Sequence, residues 1–138
     1  MPIEFHMIAG APEPVATLSH ATEIDGWVFI TGQMPTVPGK PDAPLAAGVE
    51  AQAHQVMLNL GAVLGGLGLS FANVTMARAY LTRFERDYAA FNEERTAFFR
   101  EEGLDPVPAS TGIQAILCRP ELLIEIEAIA MFRTVTQS

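Results

Sequence analysis

Cysteine is almost missing from this chain. Cys118 stands alone, so no intrachain disulfide can form, and a reducing compartment is expected. One cysteine and three scattered histidines, His6, His20 and His54, give no zinc-type spacing, so no metal is expected. Positive charge is scarce as well: Lys and Arg total 8 against 16 Asp and Glu, for a formal net charge of −8. Phosphate backbones and anionic membrane surfaces are held by clustered Lys and Arg, so nucleic acid and membrane are both disfavoured as partners. Long hydrophobic runs are lacking too. Each apolar stretch meets Glu, Gln, His or Asn before the roughly 18 residues that a membrane helix needs. The opening "MPIEFHMIAG" has neither the basic start nor the apolar centre of a signal peptide. These absences point to a soluble, cytoplasmic protein.

What the chain does have is apolar side chains, at 49 % of residues, with only 17 % charged. Its 138 residues suit one well-cored domain spanning 1–138, and the low charge fraction hints at surface covered by other subunits. "PIEFHMI" alternates like a strand. "LSHATEI" and "WVFITGQM" are strand-like runs joined by Asp25-Gly26, a strong hairpin signal. The proline-rich "PTVPGKPDAP" is a loop. From Leu45 to Leu67, Val49, Ala53, Val56, Leu60, Val63 and Leu64 make a helical stripe that the glycines of "GGLGL" stop. As a phosphate loop those glycines lack the following Lys and Ser or Thr. "NVTMARAYLTRF" reads as a strand. "ERDYAAFNEERTAFFREE" reads as a second helix, with Tyr88, Phe91, Phe98 and Phe99 on one side. "TGIQAILC" and "LLIEIEAIAMF" are strands flanking a turn at residues 119–121, which predicts a hairpin.

The resulting order, β-β-β-α-β-α-β-β, predicts an α+β two-layer domain, a mixed sheet with both helices on one face. The last strand then carries a question. Alternation puts Ile124, Ile126, Ala128, Ala130 and Phe132 on one face, an apolar surface that must meet a core. The other face carries Leu123, Glu125, Glu127, Ile129 and Met131. A solvated face accounts for the two carboxylates and leaves the Leu, Ile and Met unexplained; a partly dry interface or cleft accounts for all of them. No helix remains to cover that face, so oligomerisation is expected.

Four segments, "DGWVFITGQMP", "QAHQVMLNLGAVL", "FNEERTAFF" and "LLIEIEAIA", resemble the Rid family (reactive intermediate deaminase, also called the YjgF or endoribonuclease L-PSP family). The resemblance spans most of the chain. It implies a chorismate-mutase-like fold, a homotrimer with a small-molecule site in each cleft between subunits, and hydrolysis of enamines or imines without metal or cofactor. It also implies roles for particular residues. Gly32 is the strand-end glycine of the [ST]-G-Q motif, Asn92 the helix asparagine, and Glu125 the first glutamate of E-I-E, positioned to activate water. The family's P-A-R-[ST] stands here as "PASTG", with Ser110 in place of the arginine that clamps a substrate carboxylate and Thr111 after it. The family's Y-S-Q-A stands as "LSHA", with Leu18 for the tyrosine and His20 for the glutamine.

Glu125 and His20 are therefore the candidate catalytic groups, and Gly32, Asn92, Ser110, Thr111 and Leu18 the candidate binding residues. Glu127 is assigned to structure, Cys118 to packing, and Arg78 and Arg83 to solvated or interface charge. Arg119, at the far end of the predicted hairpin, is not a substitute for the missing guanidinium. The expected function is cofactor-independent hydrolysis or deamination of a small imine, enamine or related metabolite. With Ser110 lacking charge, 2-iminopropionate is expected to be a poor substrate. The alternative is a non-catalytic metabolite-binding or protein-protective module. The ribonuclease label carried by the family fits poorly with the acidic charge.

Overall fold

The structure is a computed structural model and describes residues 2–132. Its elements are β1 (Glu4–His6), β2 (Ala21–Ile24), β3 (Trp27–Gln33), α1 (Val49–Gly66), β4 (Val74–Leu81), α2 (Phe84–Glu101), β5 (Ala109–Gln114) and β6 (Ile124–Met131), with a single 3-10 turn at Phe71–Asn73. The β-β-β-α-β-α-β-β order and the two-layer α+β architecture agree with the sequence reading. The strands form one mixed sheet in the order β1-β2-β3-β6-β4-β5, in which only β4 and β5 run parallel. No helix among the described residues is long and apolar enough to cross a membrane.

Local chemistry sets the punctuation. Asp25 and Gly26 both take positive φ, 52° and 84°, between the paired residues Ile24 and Trp27. A tight primed turn requires that geometry, and its twist matches that of the flanking strands. α1 ends where the Leu69 N–H donates to the Leu64 carbonyl at 2.8 Å across Gly68, whose φ is 76°.

The core lies between the helices and one face of the sheet. α1 contributes Val56, Met57, Leu60, Val63 and Leu64, and α2 contributes Phe91, Phe98 and Phe99. They pack on Val28 and Ile30 of β3 and on Ile124, Ile126, Ala128 and Ala130 of β6. Each large side chain buried this way contributes about 1.5–3 kcal/mol. β6 alternates buried and half-buried along its whole length, as the sequence pattern requires.

One prediction is corrected. β5 and β6 form no hairpin, because β4 lies between them, parallel to β5 and antiparallel to β6. β5 also starts earlier than "TGIQAILC" suggested and stops at Gln114. The chain from Ala115 to Leu123 crosses the end of β4, where the Ala115 N–H donates to the Leu81 carbonyl and the Thr82 N–H to that of Leu123, both at 3.1 Å. Buried Gln52 of α1 fastens this crossing. Its Nε2 donates to the carbonyls of Ala46 and Glu121, and its Oε1 accepts from the Leu123 N–H at 2.9 Å. Cys118 consequently lies outside the strand and is exposed, 3.6 Å from the Met34 sulfur. Arg119 pairs with Glu121 in the same connection.

The sheet face turned away from the helices is uncovered. Trp27 pairs with Met131, and Phe29 with both Thr22 and Ile129. Trp27 is 40 % and Phe29 45 % exposed there, which is unusual for side chains of that size.

Candidate active site

β6 places Glu125 and Glu127 on this uncovered face, and their surroundings separate them. Glu127 Oε1 accepts a hydrogen bond from Tyr80 Oη at 2.6 Å and another from Arg78 Nη1 at 3.0 Å. The hydrogen bond to Glu127, above all, pushes the Tyr80 phenol upward and keeps it a donor. Glu125, opposite Tyr80 in the register, has no hydrogen-bond or ion-pair partner among the described residues. Burial pushes its carboxyl above the ordinary range, and the neighbouring charge of Glu127 adds to the shift. Of two carboxylates that look alike in sequence, one is occupied and one is unengaged.

Gly32 belongs to the same spot. Between Ile30 and Gln33 the β3–β6 register shifts, a bulge that re-aims the backbone beside the carboxylates. A Cβ built on Gly32 would run into the Glu125 side chain, so any larger residue would displace that carboxylate. Leu18, 43 % exposed, lines an open cleft of about 680 Å3 on this side with Phe29, Thr31 and Glu127. Thr111, paired with Arg78, also belongs to this face.

Asn92 and Ser110 do not. Ser110 is paired with Ala77, and Gly112, on the same face of β5, meets Phe84 and Tyr88 of α2. Ser110 therefore faces the helices, while its neighbour Thr111 faces away from them. With Asn92 it lines a second cleft, of about 700 Å3, between the C-terminal half of α2 and the segment 103–110. The predicted site is thus divided within one chain, with Glu125, Gly32, Leu18 and Thr111 on one side of the sheet and Asn92 and Ser110 on the other.

His20 joins neither group. It is buried, its Nδ1 accepting from the Ile8 N–H at 2.7 Å and its Nε2 lying 2.7 Å from the Pro12 carbonyl. That geometry fixes the neutral tautomer with the proton on Nε2. Both ring nitrogens are committed to the main chain, which leaves neither for a substrate proton. At the same β1 edge of the sheet Glu4, His6 and Glu23 approach one another, with His6 Nε2 3.0 Å from Glu23 and 3.9 Å from Glu4.

The residue that sequence reasoning missed is Arg95. From α2 it crosses to β5, where Nη1 donates to Ser110 Oγ and Nη2 to Asn92 Oδ1, both at 2.8 Å. Its guanidinium lies 4.6 Å from the centre of the Phe91 ring. The available signal was helical spacing, since Phe91, Asn92 and Arg95 share one helix face.

A two-layer α+β fold with a split polar site of this kind defines a recognisable class. The endoribonuclease L-PSP family model matches residues 8–132. The chain is 31 % identical to the RutC family protein slr0709 of Synechocystis sp. over 97 % of this chain and all of that one. It is 32 % identical to the 3-aminoacrylate deaminase RutC of Acinetobacter baylyi, over 94 % and 98 % of the two chains. Among solved structures it superposes on the YjgF gene product of E. coli with a TM-score of 0.84 and 26 % identity, covering 94 % and 99 %. The chain belongs to the endoribonuclease L-PSP family, the YjgF or Rid family.

Proposed function

We propose that the protein is a cofactor-independent hydrolase of small imines or enamines, working in clefts between the subunits of a homotrimer in the cytoplasm. The observation that carries this reading is Glu125, a half-buried carboxylate with a raised pKa and no partner among the described residues, against a glycine that leaves room only for it. An unpaired carboxylate in a partly dry site costs the fold stability, and a base with its pKa raised in this way suits proton transfer.

In the proposed reaction solvent delivers a proton to the enamine carbon, giving the iminium ion. Water then attacks the iminium carbon as Glu125 takes one of its protons, forming a neutral carbinolamine. Glu125 returns that proton to nitrogen, and the C–N bond breaks to release ammonia as the carbonyl forms and the hydroxyl proton passes to solvent. The similarity to a 3-aminoacrylate deaminase supports the same reaction class. The net charge of −8 does not favour ribonuclease activity. Assembly joins the two halves of the site, with Glu125, Gly32, Leu18 and Thr111 from one subunit and Asn92 and Ser110 from its neighbour. His20 is given a structural role instead of an acid–base one. Because residue 110 is a serine, hydrolysis draws on no guanidinium borne by the strand.

A second reading, a metabolite-binding module without turnover, is favoured by Ser110 and Leu18, which stand where the family resemblance implies an arginine and a tyrosine. The two are separated by presenting wild type and Glu125→Gln with imines generated in situ and following ammonia release. Wild type should accelerate hydrolysis. The variant should keep its oligomeric state and lose about two to four decades in rate. Undiminished turnover in Glu125→Gln would remove Glu125 from the mechanism, and no acceleration by wild type would leave the binding module.

A further inference from the structure

We infer that Arg95 is the anion-binding residue of this protein, supplying from α2 the guanidinium that β5 lacks, so that the helix-side cleft takes ligands bearing a carboxylate. The inference rests on the proposed site and names the substrate class it accepts. Three observations carry it. Arg95 is seated on Ser110 itself, the position at which the family resemblance implies an arginine, with Nη1 2.8 Å from Ser110 Oγ. Both groups it touches by hydrogen bonding, the Ser110 hydroxyl and the Asn92 carbonyl oxygen, are neutral, and no carboxylate pairs with it among the described residues. Finally, it lines an open cleft of about 700 Å3 in which Arg100 adds positive charge and Asp105 is the acidic residue. Pockets of that size hold small metabolites.

Three other arginines are paired, Arg78 with Glu127, Arg86 with Asp87 and Arg119 with Glu121, whereas Arg83 and Arg100 share with Arg95 the lack of an ion pair among the described residues. Arg95 is held in place by neutral acceptors and by the Phe91 ring, itself fully buried, and keeps its charge uncompensated. A guanidinium is a planar fork of N–H donors, and one N–H on each terminal nitrogen is enough for Ser110 and Asn92. The remaining donors are available to a carboxylate, which accepts two parallel N–H bonds. The fork is therefore positioned before the ligand arrives, which reduces the entropy lost on binding. The serine is thereby accounted for: a short hydroxyl at residue 110 leaves space for an incoming guanidinium and gives it an acceptor. Slow hydrolysis of 2-iminopropionate followed from residue 110 taken alone; with Arg95 seated on it, that loss is expected only when Arg95 is removed as well.

Binding of pyruvate, the product-like carboxylate, separates this inference from catalysis. Titrations by calorimetry would compare the assembled wild type, Arg95→Gln and Glu125→Gln, with butanone as the uncharged control of similar size. Wild type should bind pyruvate saturably. Arg95→Gln should bind it about 10- to 100-fold more weakly, the range expected for a lost charged hydrogen bond, with butanone unaffected. Glu125→Gln should keep pyruvate binding while losing turnover. Pyruvate binding that depends on Arg95 supports the inference even if no imine is hydrolysed. Equal pyruvate affinity in wild type and Arg95→Gln, or no saturable binding by wild type, overturns it whether or not imines are turned over.

Discussion

Two glutamates two residues apart on one strand face have opposite fates because of what stands across from them. Tyr80 and Arg78 both reach Glu127, and nothing among the described residues reaches Glu125. The raised pKa of Glu125 has a consequence for stability. The folded chain holds this proton more tightly than the unfolded chain does, so stability falls as pH rises from the unfolded carboxyl value, about 4.3, through the higher folded one. Glu125→Gln carries no such loss. Its melting temperature should exceed that of wild type at neutral pH, and the gap should close as the pH is lowered below about 4. A gap that widens toward acid would mean that the carboxylate is stabilised by the fold. Glu125 was legible because strand alternation singles out a charge within an apolar face. Arg95 was not, because a charged residue on a helix normally reads as solvated, and its meeting with Ser110 depends on β5 lying beside β4. His20 misled for a related reason: sequence shows a titratable ring near a motif and cannot show that the Ile8 N–H and the Pro12 carbonyl occupy both its nitrogens.

Among the elements, periodicity located the strands and both α-helices of the described residues, though not the bounds of β5 or the 3-10 turn at Phe71–Asn73, and the Asp25-Gly26 turn fixed the β2–β3 hairpin. Pairing was harder. β5 and β6 are neighbours in sequence with a turn between them, the usual prompt for a hairpin, yet β4 separates them. The long crossing from Ala115 to Leu123 needs its own fastening, and Gln52 provides it from the opposite layer. Gln52 is buried, and its amide bonds to the main chain of Ala46, Glu121 and Leu123. Gln52→Ala should lower stability by on the order of 1–3 kcal/mol, the range expected for the loss of these hydrogen bonds together. Chemical denaturation would measure this, and a change within about 0.5 kcal/mol, typical of an ordinary surface site, would show that the crossing holds without it.

For the whole molecule, the sheet buries one face under two helices and leaves the other to Trp27, Phe29, Ile129 and Met131. An aromatic surface of this kind, joined to a low charge content, calls for a partner of the same kind. Sedimentation equilibrium should give a species of three times 14.9 kDa at micromolar concentration. Phe29→Glu should dissociate it, because a charge would then have to be buried at a dry contact. A wild-type monomer would remove both the interface and the site built across it.

The division of the site between the two sides of one sheet reaches beyond geometry. On the proposed site, a chain that holds Glu125 on one side and Arg95 on the other cannot by itself bring both to the same small molecule, however well it is folded. Folding and competence then become separate events, the first unimolecular and the second dependent on how many chains are present. A dilute pool of well-folded protein would be silent, and function would rise with abundance more steeply than in direct proportion. In mixtures of two differently damaged chains, a working cleft could still arise wherever an undamaged half meets another.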